Sequence, residues 1–220
     1  MTFEEAMREA AKAADQAVTF AMRKYRRGGA VDEPEITGVL VGELDAALRG
    51  EIGGLKWEST IVRNGSGTAA EEKRTGADLL IHVSLETPTE TYSKGVLVQA
   101  KRAEPDQELS AGELARLQTQ CSTMIGHTAS AWVFSYARNS MRCGPATRFT
   151  ASTDGRIHRR CTWTSYRFFL ELFRCPVGDP KIASAEVKAL PVPNVIQLRA
   201  HGELSDDYSM LPTPDEPFQV

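Results

Sequence analysis

The order of the predicted elements indicates an α/β domain with a mixed central sheet flanked by helices. Two helix-like segments open the 220-residue chain, three strand-like segments follow, and a further helix and strand come after them. Helices are indicated by apolar residues at helical spacing, and strands by runs of β-branched and aromatic residues. A chain of this length, 41% hydrophobic and 25% charged, can bury a core without disulfides or metals.

Helices are predicted where capping residues coincide with apolar stripes. Thr2 with Glu5, and Ser110 with Glu113, match the capping-box pattern at two helix starts. Pro34 precedes a further apolar stripe, which ends at a glycine. The predicted helices are about 2–27, 35–49, 110–125 and 165–174.

Strands are predicted where β-branched and aromatic residues cluster between turn-forming segments. The predicted strands are 55–62, 78–85, 94–101 and 131–136. Because the first three follow one another closely, we expect them to pair as an antiparallel meander. Residues 191–199 alternate only weakly between prolines, and 203–220 form an acidic, proline-containing tail.

The formal net charge of −3 hides an uneven distribution of basic residues. Between residues 138 and 174, eight arginines stand against two acidic residues, and aromatic residues are interleaved with them. A solvated surface would explain this run. Contact with nucleic acid would also explain it, because guanidinium groups match phosphate oxygens and aromatic rings stack on bases. The arginines are Arg138, Arg142, Arg148, Arg156, Arg159, Arg160, Arg167 and Arg174.

The cysteines and the apolar segments indicate a cytoplasmic protein without a membrane anchor. The four cysteines contain no CxxC pair, so we expect free, mostly buried thiols rather than a zinc site. The first ten residues are too acidic and polar for a secretory signal. No apolar run approaches the roughly 20 residues that a membrane-spanning helix needs.

Polar residues interrupt two of the predicted strands where apolar residues would pack better. After Val96–Val98, the two-residue period of a strand places Gln99 and Lys101 on the same face, at the end of the strand. Asp78 opens the preceding strand, although aspartate is a poor strand former. Each of these residues alone has a structural explanation, but their grouping is more informative.

Two predicted helices also carry a polar residue on an apolar stripe. Glu43 falls within the stripe of helix 35–49, where a carboxylate needs a partner. Pairing with a lysine or arginine would explain it, and so would metal binding. Gln118 falls within the stripe of helix 110–125, where it either bonds to backbone or faces a functional site.

Together these residues match the requirements of phosphodiester hydrolysis. Mg²⁺ or Mn²⁺ binds oxygen ligands, which Asp78, Glu43, the Gln99 amide and the Ala100 carbonyl could supply. Such a metal neutralises the phosphate and activates a water. Lys101 would hold that water and stabilise the developing charge.

Two short motifs carry a resemblance to a known family. Gly76-Ala77-Asp78-Leu79-Leu80, followed twenty residues later by Val98-Gln99-Ala100-Lys101-Arg102, resembles the PD-(D/E)xK nuclease superfamily. The match is closest to its Mrr-like restriction endonuclease branch, in which glutamine commonly replaces the second acid. The resemblance covers about 100 residues and implies a restriction-endonuclease-like core, αβββαβ, over residues 35–136.

The resemblance also implies roles for individual residues. Asp78 and Gln99 would be metal ligands and Lys101 the catalytic lysine. Glu43 would correspond to the acid of the first core helix, and Gln118 to a polar residue on the helix after the third strand. Glu58, Glu71 and Glu72 are alternatives to Glu43.

We therefore expect a metal-dependent deoxyribonuclease with low sequence specificity, in a defence or restriction system or under the control of a protein partner. Gln118 and five arginines are the candidate nucleic-acid contacts. A catalytically silent nuclease-like domain that binds nucleic acid or a protein is the alternative, and RNA as substrate and a homo-oligomer stay open. The candidate arginines are Arg102, Arg138, Arg142, Arg159 and Arg160.

The expected organisation of the chain has four parts. A nuclease-like core with its arginine-rich extension occupies the middle, a helix and linker precede it, and an extension and an acidic tail follow. The tail could cover the basic segment by opposite charge. In chain order, the parts are residues 1–34, 35–175, 176–202 and 203–220.

Overall fold

The computed structural model describes residues 1–63, 74–183 and 190–204. The helices in these ranges are α1 (Phe3–Arg26), α2 (Glu33–Ala47), α3 (Ala111–His127), α4 (Ile157–Arg160) and α5 (Ser165–Phe173). The strands are β1 (Gly50–Ile52), β2 (Leu55–Arg63), β3 (Leu79–Glu86), β4 (Thr91–Arg102), β5 (Ala131–Ala137), β6 (Ser140–Pro145), β7 (Trp163–Thr164) and β8 (Asn194–His201). A 3₁₀ turn, Ala146–Arg148, follows β6.

The strands form one mixed sheet of eight strands in the described ranges, in the order β1-β2-β8-β3-β4-β5-β6-β7. The pairs β3–β8 and β4–β5 are parallel, and the other pairs are antiparallel. The predicted α/β class with a mixed sheet flanked by helices is therefore confirmed.

The predicted meander of the first three strands is wrong at one pairing. β3 and β4 form the expected antiparallel pair, but β8 lies between β2 and β3. The weakly alternating segment near the C-terminus thus supplies a central strand. Its residues Val195, Ile196 and Leu198 are buried, with Val195 and Ile196 in cores on opposite sides of the sheet. Burial on both faces explains why the alternation is weak.

Two hydrophobic cores lie on the two faces of the sheet. One core joins α1, α2 and α5 to residues such as Val96, Val98 and Phe134. The other joins α3 to residues such as Leu97 and Val133. Successive residues of β4 therefore alternate between the two cores, which directs the odd-numbered residues toward α3.

The helices begin at the predicted caps, with one difference that matters for the site. The capping boxes at Thr2 and Ser110 are both present. The second helix, however, begins at Glu33 rather than near residue 35, because Asp32 is its N-cap and accepts a 2.9 Å hydrogen bond from the Glu35 amide. This start makes Glu33 the first residue of α2.

The cysteine prediction agrees with the structure. All four cysteines, which lie in the described ranges, are free thiols, and Cys175 alone among them is exposed. None of the helices in the described ranges is both long and apolar enough to cross a membrane. Most of the predicted acidic tail, residues 205–220, lies outside the described residues.

Candidate active site

The site is built at the point where β3 begins and β4 ends. In this antiparallel pair, Leu79 lies opposite Val98, and the Asp78 amide donates a 2.9 Å hydrogen bond to the Val98 carbonyl. This register brings Asp78 beside Gln99, which the sequence separates by twenty-one residues. The Asn194 side chain on β8 donates to the Asp78 carbonyl at 3.1 Å and so supports the start of β3.

Asp78, Gln99 and Ala100 form a hydrogen-bonded cluster. Asp78 Oδ2 accepts from the Ala100 amide at 2.8 Å and also from Gln99 Nε2. Gln99 Nε2 donates in addition to the Ala100 carbonyl oxygen at 3.0 Å. One amide group therefore connects a carboxylate oxygen and a backbone carbonyl oxygen.

The other atom of the Gln99 amide is unsatisfied. Gln99 is fully buried, and its Oε1 has no hydrogen-bond partner within the described part of the chain. A buried acceptor without a partner costs about 1–3 kcal/mol. The position thus favours a ligand, or an amide orientation, that would use this oxygen.

Lys101 is held by an acid that comes from the opposite face of the sheet. Its side chain is only 9% exposed, and its Nζ lies 3.2 Å from Glu33 Oε2. Glu33 Oε1 accepts a 3.0 Å hydrogen bond from the Arg102 amide, so one carboxylate fixes both the end of β4 and the lysine. The first turn of α2 also favours a carboxylate, because the helix N-terminus carries partial positive charge.

The buried Tyr136 on β5 lies within electrostatic range of both acids. Its hydroxyl is 3.2 Å from Thr37 Oγ1 on α2. Burial raises the pKa of Tyr136, and the carboxylates of Asp78 and Glu33 raise it further. The contact with Thr37 connects β5 to α2, the helix that begins with Glu33.

Helix α3 closes the site from its own face of the sheet. Gly76 has a φ of 74°, and a Cβ there would lie 2.4 Å from the Gln120 carbonyl oxygen, so the turn before Asp78 packs directly on α3. Near the start of α3, hydrogen bonds from Ser110 lower the pKa of Glu113, and the charges of Lys101 and Arg102 lower it further. The N-terminal end of α3 therefore lies near the end of β4.

The structure does not bring Glu43 to this cluster. Glu43 Oε1 lies 2.8 Å from Lys24 Nζ on α1, in a pair whose lysine is mostly exposed. Ten residues separate Glu43 from Glu33, which corresponds to about 15 Å along the helix axis. Its predicted place beside Asp78 is therefore corrected, and the alternative of pairing with a basic residue describes its contact.

Of the three other acids considered in place of Glu43, the structure describes only Glu58. Glu58 lies 3.5 Å from Lys56 and 3.7 Å from His201, away from β4. Glu71 and Glu72 lie outside the described residues.

Gln118 makes its hydrogen bond to backbone outside the Asp78–Gln99 cluster. Its Nε2 donates a 2.8 Å hydrogen bond to the Ser152 carbonyl oxygen, in the loop after the 3₁₀ turn. This is the backbone-bonded arrangement that the sequence left open. The buried side-chain amide of α3 is instead that of Gln120, two residues further along the helix.

Several arginines gather around an acidic loop, residues 104–108, that directly follows β4. Arg138 donates its amide to Glu104 Oε1 at 3.2 Å and places its guanidinium 3.9 Å from the same oxygen. Arg159 pairs with Asp106. Arg156 Nε lies 3.1 Å from Glu108 Oε1. A basic surface near the site is thus neutralised by carboxylates of the chain itself.

The other predicted arginines make separate contacts. Arg102 donates from its guanidinium to the Val31 carbonyl oxygen. Arg160 donates to the Arg148 carbonyl oxygen at 2.7 Å. Arg142 lies close enough to His158 to lower the pKa of that imidazole, which burial lowers more. The candidate nucleic-acid contacts therefore have different partners within the chain.

Sequence reasoning missed residues that complete the surroundings of Lys101. Glu33 is the most important, and the Asp32-x-x-Glu35 pattern is the signal that could have moved the helix start to it. Ser135 is opposite Lys101 in the parallel β4–β5 register and lies 3.2 Å from His158 Nδ1. A buried serine in a strand has no distinctive sequence signal.

No protein-family model, curated protein or solved structure matches this chain. The chemistry of the site is therefore the basis for assigning a function. Across the described ranges, no group of three or more His, Cys, Asp and Glu side chains is arranged to hold a metal. The donors near Asp78 are instead one carboxylate, one amide and one backbone carbonyl, which with waters suit Mg²⁺ better than zinc.

Proposed function

We propose that the chain is a metal-dependent deoxyribonuclease that hydrolyses DNA with low sequence specificity. The observation that supports this proposal is the cluster of Asp78, Gln99 and the Ala100 carbonyl where β3 begins and β4 ends, with Lys101 two residues beyond Gln99 on the same strand. The PD-(D/E)xK resemblance assigns these positions to metal binding and catalysis. A restriction-endonuclease-like core is part of the same proposal.

The donor set fits a hard divalent cation. Gln99 Nε2 now donates to Asp78 Oδ2 and the Ala100 oxygen, the two acceptors that a cation would share. The same amide turned over would present its oxygen to that position, and this oxygen is the buried atom without a partner. Asp78, Gln99 and Ala100 would therefore hold Mg²⁺ or Mn²⁺, which when bound neutralises the phosphate and activates a water.

Lys101 has the geometry of a charge-stabilising group. Its ammonium is nearly buried, which strengthens its interaction with an anionic reaction centre. Glu33 fixes the ammonium at 3.2 Å, so the lysine does not need to be ordered when substrate binds. In this proposal Glu33 is the acid of the first core helix instead of Glu43, but it positions Lys101 rather than binding the metal.

The arginines near the site would contact the DNA backbone rather than the bases. Arg138, Arg156 and Arg159 are side chains suited to phosphate oxygens, and phosphate contacts carry no sequence information directly. Low specificity and strong salt dependence follow from this mode of binding. The assignment to a defence or restriction system rests on the family resemblance alone.

Plasmid and linear DNA with Mg²⁺ or Mn²⁺ provide the test. We expect Asp78→Ala and Lys101→Ala each to lower cleavage by about 100-fold or more, because each removes a group that stabilises the transition state. Lys24→Ala, which removes an exposed lysine, is the matched control and should cleave normally. Chelation of the metal should abolish cleavage by the parent protein.

The outcomes separate the candidate functions. Cleavage that survives both Asp78→Ala and Lys101→Ala would refute the site assignment. If the parent protein binds DNA but does not cleave it with either Mg²⁺ or Mn²⁺, a catalytically silent domain is favoured. Cleavage of an RNA strand but not DNA of the same sequence would change the substrate and keep the site.

A further inference from the structure

A lysine at the start of β4 is buried without a polar partner. Lys94 is 2% exposed, and its Nζ has no hydrogen-bond partner among the described residues. The ammonium lies 4.5 Å from the centroid of the Tyr92 ring. Lys94 is five residues from Gln99, or about 16 Å along the strand, and belongs to the opposite face of the sheet. The proposed nuclease chemistry does not use it.

The segment after α5 brings a cysteine to this lysine. The Tyr92 hydroxyl donates to the Phe173 carbonyl, and the Gly178 backbone packs against the Lys94 side chain. A Cβ at Gly178 would lie 2.6 Å from Lys94 Cδ, so the contact is close. Cys175 lies between these two anchors, is exposed, and has a φ of 90°, which non-glycine residues rarely adopt.

The two side chains interact electrostatically. Burial lowers the pKa of Lys94 to about 8, and the nearby Cys175 side chain opposes part of this shift. At pH 7 roughly one lysine in ten would then be a neutral amine, and a neutral amine is nucleophilic. An exposed thiol beside a buried amine is a pair of reactive groups with different access to solvent.

We propose that Lys94 and Cys175 form a covalent sulfur–nitrogen cross-link when the protein is oxidised by a peroxide. Hydrogen peroxide first converts the exposed Cys175 thiol to a sulfenic acid and is reduced to water. The neutral Lys94 amine then attacks the sulfur, and the sulfenic oxygen leaves as a second water. The product, Cys–S–NH–Lys, has lost two hydrogens relative to the free thiol and amine, and a thiol reductant restores both.

The cross-link would tie the segment after α5 to the start of β4. This segment packs on the core through Val177, and Asp179 forms a bridge to Gly95. An oxidised protein would thus hold this side of the sheet by a covalent bond. The proposal concerns a modification site and is independent of whether the chain cleaves DNA.

Peptide mass spectrometry of the full chain tests the cross-link. Trypsin cleaves after Lys94 and after Arg174 in the reduced protein. After treatment with hydrogen peroxide, we expect peptide 75–101, uncleaved at Lys94, to be joined to peptide 175–181 with a loss of about 2 Da. Dithiothreitol should remove the linked species and restore cleavage at Lys94.

Two variants serve as controls. Cys175→Ser changes an exposed residue and should remove the linked peptide without affecting folding. Lys94→Arg keeps the charge but lacks a nucleophilic amine, so it should leave Cys175 to oxidise further. Sulfinic acid at Cys175 with normal cleavage at Lys94, a disulfide-linked dimer through Cys175, or a linked peptide that retains oxygen would each overturn the proposal.

Discussion

Replacing Glu33 by glutamine tests whether this acid holds Lys101 in the working position. The carboxylate accepts from Lys101 Nζ at 3.2 Å and from the Arg102 amide at 3.0 Å. A glutamine has one acceptor oxygen, so it can keep only one of these bonds. If the Arg102 bond is kept, the buried lysine loses its counterion.

The expected loss of stability follows from the exposure of the two side chains. A hydrogen bond to a charged group contributes about 1.5–3 kcal/mol when buried. The Lys101 side chain is 9% exposed but that of Glu33 is 33% exposed, so solvent weakens the pair. We therefore expect Glu33→Gln to lower the free energy of unfolding by about 1–2 kcal/mol. For a chain of this size, that corresponds to a fall in Tm of roughly 2–8 °C.

The same change should affect catalysis more than stability. A lysine released from its counterion is displaced from the reaction centre, and a displacement of about 1 Å can reduce the rate roughly 100-fold. Plasmid cleavage with Mg²⁺, measured below the Tm of the variant, reports this loss. Glu33→Asp keeps the charge and should recover part of the activity.

Glu43→Gln is the matched control on the same helix. Its partner Lys24 is 57% exposed, so this change should alter the free energy of unfolding by only about 0–0.5 kcal/mol. Cleavage should be unchanged. If Glu43→Gln abolished cleavage while Glu33→Gln did not, the placement of Glu33 as the acid of this site would be refuted.

Two further predictions concern charge. Because burial lowers the pKa of Lys94 to about 8, the unfolded chain binds one more proton than the native protein between pH 8 and 10.5, so stability should rise with pH in this window. Lys94→Met should remove that rise and increase the free energy of unfolding at pH 7 by up to about 3 kcal/mol. Urea denaturation of both proteins from pH 7 to 10.5 measures this effect, and the same pH dependence of stability in both would refute the prediction. Neutralising the acidic loop should tighten DNA binding roughly 3- to 10-fold and steepen its salt dependence, because arginines are released for phosphates. Fluorescence anisotropy titrations measure the affinity for DNA, and equal affinities of the parent protein and the loop variant would refute a role of these arginines in DNA binding. The control variant neutralises three exposed acids elsewhere in the chain. The loop changes are Glu104→Gln, Asp106→Asn and Glu108→Gln, and the control acids are Glu9, Glu51 and Glu86.

The local elements of this fold are predictable from the sequence because their signals are local. The capping boxes at Thr2 and Ser110 fix two helix starts, and β3 and β4 follow from their apolar runs. The placement of β8 is not predictable in this way. Its partners β2 and β3 lie more than a hundred residues earlier in the chain, and no short-range pattern records which strands it separates.

The candidate site divides along the same line. Asp78, Gln99 and Lys101 are found from the sequence because each breaks the pattern of its own strand. Glu33 breaks no pattern, since an acid in the first turn of a helix is favourable in any case. Glu43 is predicted at the site but pairs with Lys24 on α1. The helical stripe indicates the face on which Glu43 lies, but it does not indicate which residue of another helix lies beside it.

The polar residues of β4 are difficult to explain by packing alone. Gln99 is fully buried with an unsatisfied oxygen, and Lys101 is nearly buried and requires an acid from another layer. Valine at both positions would remove an orphaned acceptor and a desolvated charge from the structure. Sequences usually break such local rules at functional or strained sites. Because β4 shows no positive φ, backbone strain of that kind does not explain the pair, whereas the proposed metal site would give both polar side chains a use.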